Sequence, residues 1–133
     1  MTRDARGKLL AMTDVTVWLN PSCGKCRGAE ELLADKGVHA EKVFYLDAPP
    51  TRQELARVVD LLGGDPRSLI RKGEPEYAGL EDADGDTLLD ALAKHPVLIE
   101  RPVVIVRDAI RGDRAVVARP PERLLELLDD PER

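Results

Sequence analysis

The chain has 133 residues, with 20 Lys+Arg against 25 Asp+Glu, a formal net charge of −5 and a pI near 5.1. That length suits one domain with its own core. The acidic balance and four aromatics (Trp18, Phe44, Tyr45, Tyr77) argue against a nucleic-acid partner, and no apolar run nears the about 20 residues of a membrane span.

Residues 1–13 carry mixed charge and no clear period. They read as an extension, with Met12 as a second candidate start, ahead of one domain over residues 14–133. Val15-Thr16-Val17-Trp18-Leu19 is β-branched and aromatic, as in a buried strand. Asn20-Pro21-Ser22 breaks it. From Gly24 the spacing of Ala29, Leu32 and Leu33 turns helical, and Gly37 supplies a stop. Val43-Phe44-Tyr45-Leu46 predicts a second strand, so the chain opens as a βαβ unit. Pro49-Pro50-Thr51 then starts a helix, with Thr51 and Glu54 spaced for a capping box. Leu55, Val58, Val59 and Leu62 form its apolar face, and Gly63-Gly64-Asp65-Pro66 ends it.

Arg67 to Arg71 reads as a short helical segment, and Lys72 to Asp86 as a polar connection. Thr87 to His95 predicts a helix with Leu88, Leu89 and Leu92 on one side. Val103 to Val106 and Ala115 to Val116-Val117-Ala118 predict two strands around a turn at Asp108 to Asp113. Pro120-Pro121 opens a last helix carrying Leu124, Leu125, Leu127 and Leu128. The order implies an α/β, thioredoxin-like fold. A mixed four-stranded sheet is split into β-α-β and β-β-α halves by a helical insertion.

The two cysteines, Cys23 and Cys26, sit three apart between the first strand and the first helix. A helix start leaves backbone N–H groups unpaired and partly positive. A Cys there is stabilised as thiolate, and the N–H groups of Gly24, Lys25 and Cys26 can cradle an oxyanion beside it. Gly24 lets a ligand approach the backbone, and Lys25 and Arg27 add charge. Cys23, at the helix start, is therefore the candidate nucleophile, and Cys26, one turn on, the candidate resolving thiol. Half of a zinc site is disfavoured, because His39 and His95 are the only histidines and lack ligand spacing. A pair of inert core cysteines fits the polar, glycine-containing loop poorly. With no secretion leader evident, the reducing cytosol is the expected setting, where a paired thiol is catalytic or metal-binding more often than structural.

Asn20-Pro21-Ser22-Cys23-Gly24 resembles the active-site loop of the ArsC family, the glutaredoxin-linked arsenate reductases. Tyr45-Leu46-Asp47-Ala48-Pro49-Pro50-Thr51-Arg52-Gln53-Glu54-Leu55, Leu69-Ile70-Arg71-Lys72, the block from His95 to Val104 and Ala118-Arg119-Pro120-Pro121-Glu122 resemble further family segments. The resemblance spans about residues 14–128. It implies that Cys23 attacks the arsenic of arsenate while Arg71, Arg101 and Arg119 surround the oxyanion, and that the Arg101-Pro102 bond is cis. Guanidinium forks and a helix start suit such a tetrahedral dianion; sulfate or phosphate fits the same site. Arg111, Arg114 and Arg123 crowd the third position, so the spacing alone leaves several candidates there.

Two departures from the family stand out. Leu19 occupies the place of a His that helps acidify the Cys, and Cys26 stands where Ser is frequent. The second departure implies an internal Cys23–Cys26 disulfide. Its reductant would be external: glutathione or mycothiol with a glutaredoxin-like protein, or thioredoxin. No bound cofactor is implied, since no dinucleotide fingerprint is present. A soluble cytoplasmic monomer is expected. Two rivals stay open: an Spx-like redox switch that binds RNA polymerase, and a generic thiol-disulfide oxidoreductase without arsenate activity. Three arginines from separate segments favour the reductase, because a pure switch has no evident use for an oxyanion site.

Overall fold

A computed structural model describes residues 13–128. Of the expected extension over residues 1–13, residues 1–12, with Met12, lie outside the described residues, and Thr13 is the first residue of β1. The elements run β1 (Thr13–Leu19), α1 (Gly24–Asp35), β2 (Ala40–Phe44), α2 (Arg52–Leu61), α3 (Gly85–Lys94), β3 (Val103–Asp108), β4 (Arg114–Val117) and α4 (Leu125–Leu128). Short 3₁₀ turns at Pro66–Leu69, Pro75–Tyr77, Pro96–Leu98 and Pro121–Leu124 link them. The sheet order is β2-β1-β3-β4. β2 runs parallel to β1, while β3 is antiparallel to both β1 and β4. This is the mixed four-stranded, thioredoxin-like α/β arrangement.

Strand alternation sorts the core into two layers. On one face Trp18, Val103 and Ile105 pack with Leu55, Val58 and Val59 of α2 and Leu88 and Leu92 of α3. On the other, Val17, Leu19, Val104, Val106 and Val116 pack with Cys26, Ala29 and Leu33 of α1 and with Leu124 and Leu127. The capping box of α2 closes in both directions. The Glu54 N–H donates to Thr51 Oγ1 at 3.1 Å, and the Thr51 N–H donates to Glu54 Oε1 at 2.8 Å. Such a cap is worth about 1 kcal/mol.

Several boundaries differ from expectation. β2 ends at Phe44 and begins at Ala40, which pairs with Val15. As an edge strand it needs no continuous apolar run, so Tyr45 falls past its end, fully buried. The polar connection between α2 and α3 contributes Tyr77 to the core. Over the described residues the last helix is divided equally between a 3₁₀ turn at Pro121–Leu124 and an α-helical turn at Leu125–Leu128. Among the described residues no helix is long and apolar enough to cross a membrane.

Candidate active site

The chain must pass from Leu19 to the start of α1 in four residues, and Asn20 makes that turn. Its carbonyl oxygen accepts from the Cys23 N–H at 3.0 Å, and its Oδ1 accepts from the Ser22 N–H at 2.9 Å. This is the local side-chain turn for which Asn is suited. The Asn20 N–H donates to Cys26 Sγ at 3.3 Å. A residue that marks only a strand break in the sequence thus holds the thiol loop at three points.

Cys23 is the N-cap residue of α1, in extended conformation (φ −96°, ψ 125°). Its side chain therefore stands over the unpaired N–H groups of the first turn. No cap hydrogen bond closes on the sulfur, but those dipoles act on it. Burial pushes the Cys23 thiol up. The Cys26 N–H, the Arg101 guanidinium, the Cys26 thiol and the Lys25 N–H together outweigh it and bring the pKa down to about 6. Cys26 goes the other way. Burial raises it, the Asn20 N–H opposes, the Cys23 sulfur adds to the rise, and it reaches about 11. Both cysteines are free, Cys26 buried and Cys23 partly open. One sulfur is a thiolate at neutral pH and its neighbour a thiol.

Reaction with iodoacetamide should report this directly. The folded pKa of Cys23 is depressed, so thiolate is complete well above about pH 6 and is lost as pH falls through that value. Below it the rate should drop about tenfold per pH unit. Peptide mapping after partial reaction should find the label on Cys23 and not on Cys26. A profile that titrates near the ordinary thiol value would contradict the assignment.

Cys23 opens on a pocket of about 610 Å³ lined also by Gly24, Lys25, Arg101, Arg119 and Pro121. The β3–β4 hairpin brings the two arginines together. Val103 pairs with Val117, which sets residues just before β3 beside those just after β4. The Ala118 N–H donates to the Pro102 carbonyl at 2.9 Å, and Arg119 Nη1 donates to the Arg101 carbonyl at 2.9 Å. The Arg101-Pro102 bond is cis, as the resemblance implied, and so is Arg119-Pro120. α1 approaches the far wall so closely that a Cβ on Gly28 would lie 3.0 Å from the Pro121 ring. A Cβ on Gly24 would meet only Arg27, at 3.8 Å. Nothing in the fold therefore demands glycine at 24, and its bare backbone lines the pocket.

Arg71 is placed differently. It follows the bridge between Ile70 and Ile99, and its guanidinium pairs with Glu74 at 3.4 Å and Glu100 at 3.5 Å. It does not line the Cys23 pocket. Its charge still acts on the Tyr45 hydroxyl, as do Arg101 and Cys26. The competing arginines have other partners. Arg111 and Arg114 lie 2.9 and 3.8 Å from the buried Asp108 carboxylate, and Arg123 lies 3.5 Å from Glu126. Leu19 points into the core that holds Cys26, so the acidifying groups at Cys23 are the helix start, Arg101 and the Cys26 thiol.

Fold and site together define a thioredoxin-like protein whose helix-start thiolate faces an arginine-lined pocket. The chain belongs to the ArsC family, whose model matches residues 18–127. It is similar to the arsenate reductase of Escherichia coli strain K12, at 34% identity over 126 residues, covering 92% of this chain and 86% of that protein. The arsenate reductase of Neisseria meningitidis serogroup B is 38% identical over 122 residues, covering 88% of this chain and 100% of that one. The solved structure of the arsenate reductase from Vibrio cholerae matches with a TM-score of 0.76 at 34% identity, covering 86% of this chain and 97% of that one.

Proposed function

We propose that this chain reduces arsenate to arsenite, with Cys23 as nucleophile and Cys26 as resolving thiol. The observation that carries this is the acidified Cys23 sulfur sharing one pocket with Arg101, Arg119 and the Gly24-Lys25 backbone. The curated relatives named arsenate reductase support the substrate.

Arsenate enters as a dianion and meets two guanidinium groups and the partly positive helix start. Arg71 joins them by releasing its two long ion pairs to Glu74 and Glu100. The Cys23 thiolate attacks arsenic. One arsenate oxygen takes up protons and leaves as water, and an S–As bond forms. That bond removes the negative charge on Cys23, which is one of the causes holding the Cys26 pKa up. The Asn20 N–H and the Arg101 charge, which favour the Cys26 thiolate, then weigh more. Cys26 attacks Cys23 Sγ. The S–S bond forms, the S–As bond breaks, and its electron pair passes to arsenic, which leaves as arsenite. The two electrons come from the two thiols. An external thiol, glutathione or mycothiol with a glutaredoxin-like protein, or thioredoxin, reopens the disulfide. The setting inferred is the cytoplasm, where such donors keep thiols reduced.

Single-turnover reaction of the reduced protein tests this. Arsenate should consume both free thiols and release one arsenite per chain without any added reductant. Cys26→Ser should consume arsenate-reactive Cys23 but release no arsenite until a small thiol is added. If Cys26→Ser turns over fully with small thiol alone and the unsubstituted chain forms no disulfide, Cys26 does not resolve. If arsenate costs no thiols and leaves the Cys23 titration unmoved, the reductase assignment fails. A redox switch acting on RNA polymerase or a generic disulfide oxidoreductase then remains.

A further inference from the structure

Tyr45 lies just past β2, fully buried in the core cluster that also holds Leu69, Ile70, Leu98 and Ile99. Its hydroxyl is shielded from solvent and has no hydrogen-bond partner. The Nε of Arg101 is also shielded and without a partner. The two orphaned atoms are complementary, since the guanidinium Nε–H is a donor and the phenolic oxygen has lone pairs to accept it. A phenylalanine would fill the same volume and leave no stranded oxygen, and buried polar groups are costly unless they find partners. Burial pushes the Tyr45 pKa up against the opposing pull of Arg101 and Arg71, so the hydroxyl stays neutral and keeps both its proton and its lone pairs. Arg119 holds the backbone carbonyl of Arg101, while the Arg101 guanidinium faces the Cys23 sulfur and the Tyr45 hydroxyl.

We propose that Tyr45 is a positioning residue for Arg101, its hydroxyl accepting the Nε–H so that the outer guanidinium nitrogens are aimed at Cys23 and at an oxyanion in the pocket. Tyr45 reaches neither the sulfur's pocket surface nor the anion; it acts through Arg101. The charged and titratable groups around the pair are Arg101, Arg71, Cys26 and, beyond Arg101, Cys23. The anion half of this role rests on the arsenate proposal, whereas the thiolate half does not.

The test uses Tyr45→Phe, Arg101→Gln and the double variant, in the full-length reduced chain. Ultraviolet thiolate absorbance gives the Cys23 titration, and steady-state assays with arsenate give KM and kcat. Tyr45→Phe should raise the Cys23 pKa and raise KM for arsenate about tenfold, the scale of one hydrogen bond to a charged group. Its thermal midpoint should hold or fall slightly, because the buried Arg101 Nε–H loses its acceptor. In the Arg101→Gln background the same substitution should change neither quantity. An unmoved thiol titration in Tyr45→Phe overturns the proposal. So does a shift that persists without Arg101, because Tyr45 would then act independently. If the unsubstituted chain does not reduce arsenate but the titration shift appears and depends on Arg101, the positioning role stands and only the substrate assignment falls.

Discussion

Cys23→Ser should abolish arsenate turnover, by at least about 10³-fold, while leaving the fold intact. Three things make this the largest single effect. The sulfur is the only thiolate of the pair at neutral pH, with a pKa brought to about 6 against about 11 for Cys26. A serine hydroxyl at the same N-cap is a far weaker nucleophile and cannot donate electrons to arsenic. Cys26 cannot substitute, because it is buried and its sulfur already accepts from the Asn20 N–H. Stability should change little, since Ser is a favoured N-cap and can accept from the first-turn N–H groups. Arsenite formation, thermal melting and neutral-pH alkylation check these statements. Residual turnover near the unsubstituted rate, or rapid alkylation of Cys26 in the variant, would move the nucleophile elsewhere.

Arg101→Gln should come second, with two separable consequences. It removes a guanidinium that helps acidify Cys23, so the alkylation profile should shift upward from about pH 6. It also removes a charged donor group from the pocket, which should weaken arsenate binding about 10- to 100-fold. The pocket wall should survive, because Arg119 bonds to the backbone carbonyl of residue 101 and not to its side chain. Arg71→Gln should do less. Glu74 and Glu100 already offset that charge, and freeing them costs part of what the arginine contributes. KM for arsenate and the thiol titration, measured on both variants, should rank Arg101 above Arg71. The reverse ranking would mean that Arg71 leaves its carboxylates completely when substrate binds.

The parts of this site that were legible in the sequence are those built from neighbours along the chain. A CxxC between a β-branched strand and a helical run identifies the helix-start thiol, because dipole, spacing and polarity are all local. The Thr51–Glu54 capping box is local in the same way, and its hydrogen bonds form as spaced. What could not be read was anything set by pairing at a distance. The apolar run at Val43 to Leu46 has the composition of a strand, yet β2 is placed by its register against β1 and starts at Ala40. Tyr45 looks like a strand residue and is instead a buried hydroxyl beside Arg101. Asn20 could have been found from the Asn-Pro-Ser turn signal, but its bond to Cys26 spans a turn of helix that composition does not reveal. Among the arginines, only ion-pair partners far along the chain distinguish Arg71, paired to Glu100, from Arg101.

The chain carries two cysteines and a net charge of −5 in 133 residues. By itself the sequence determined the fold class and placed Cys23 at a helix start with Cys26 one turn on. Helix capping, strand propensity and the helix-start field act over a few residues and need no folded chain to be inferred. Tertiary structure decided which arginines line the pocket at Cys23. It did so because the antiparallel β3–β4 hairpin juxtaposes residues 101 and 119, while the Ile70–Ile99 bridge carries Arg71 to two carboxylates. The overall acidity is thus a property of the surface sum. The pocket at Cys23 is positive because sheet register gathers charge there from segments the sequence keeps apart.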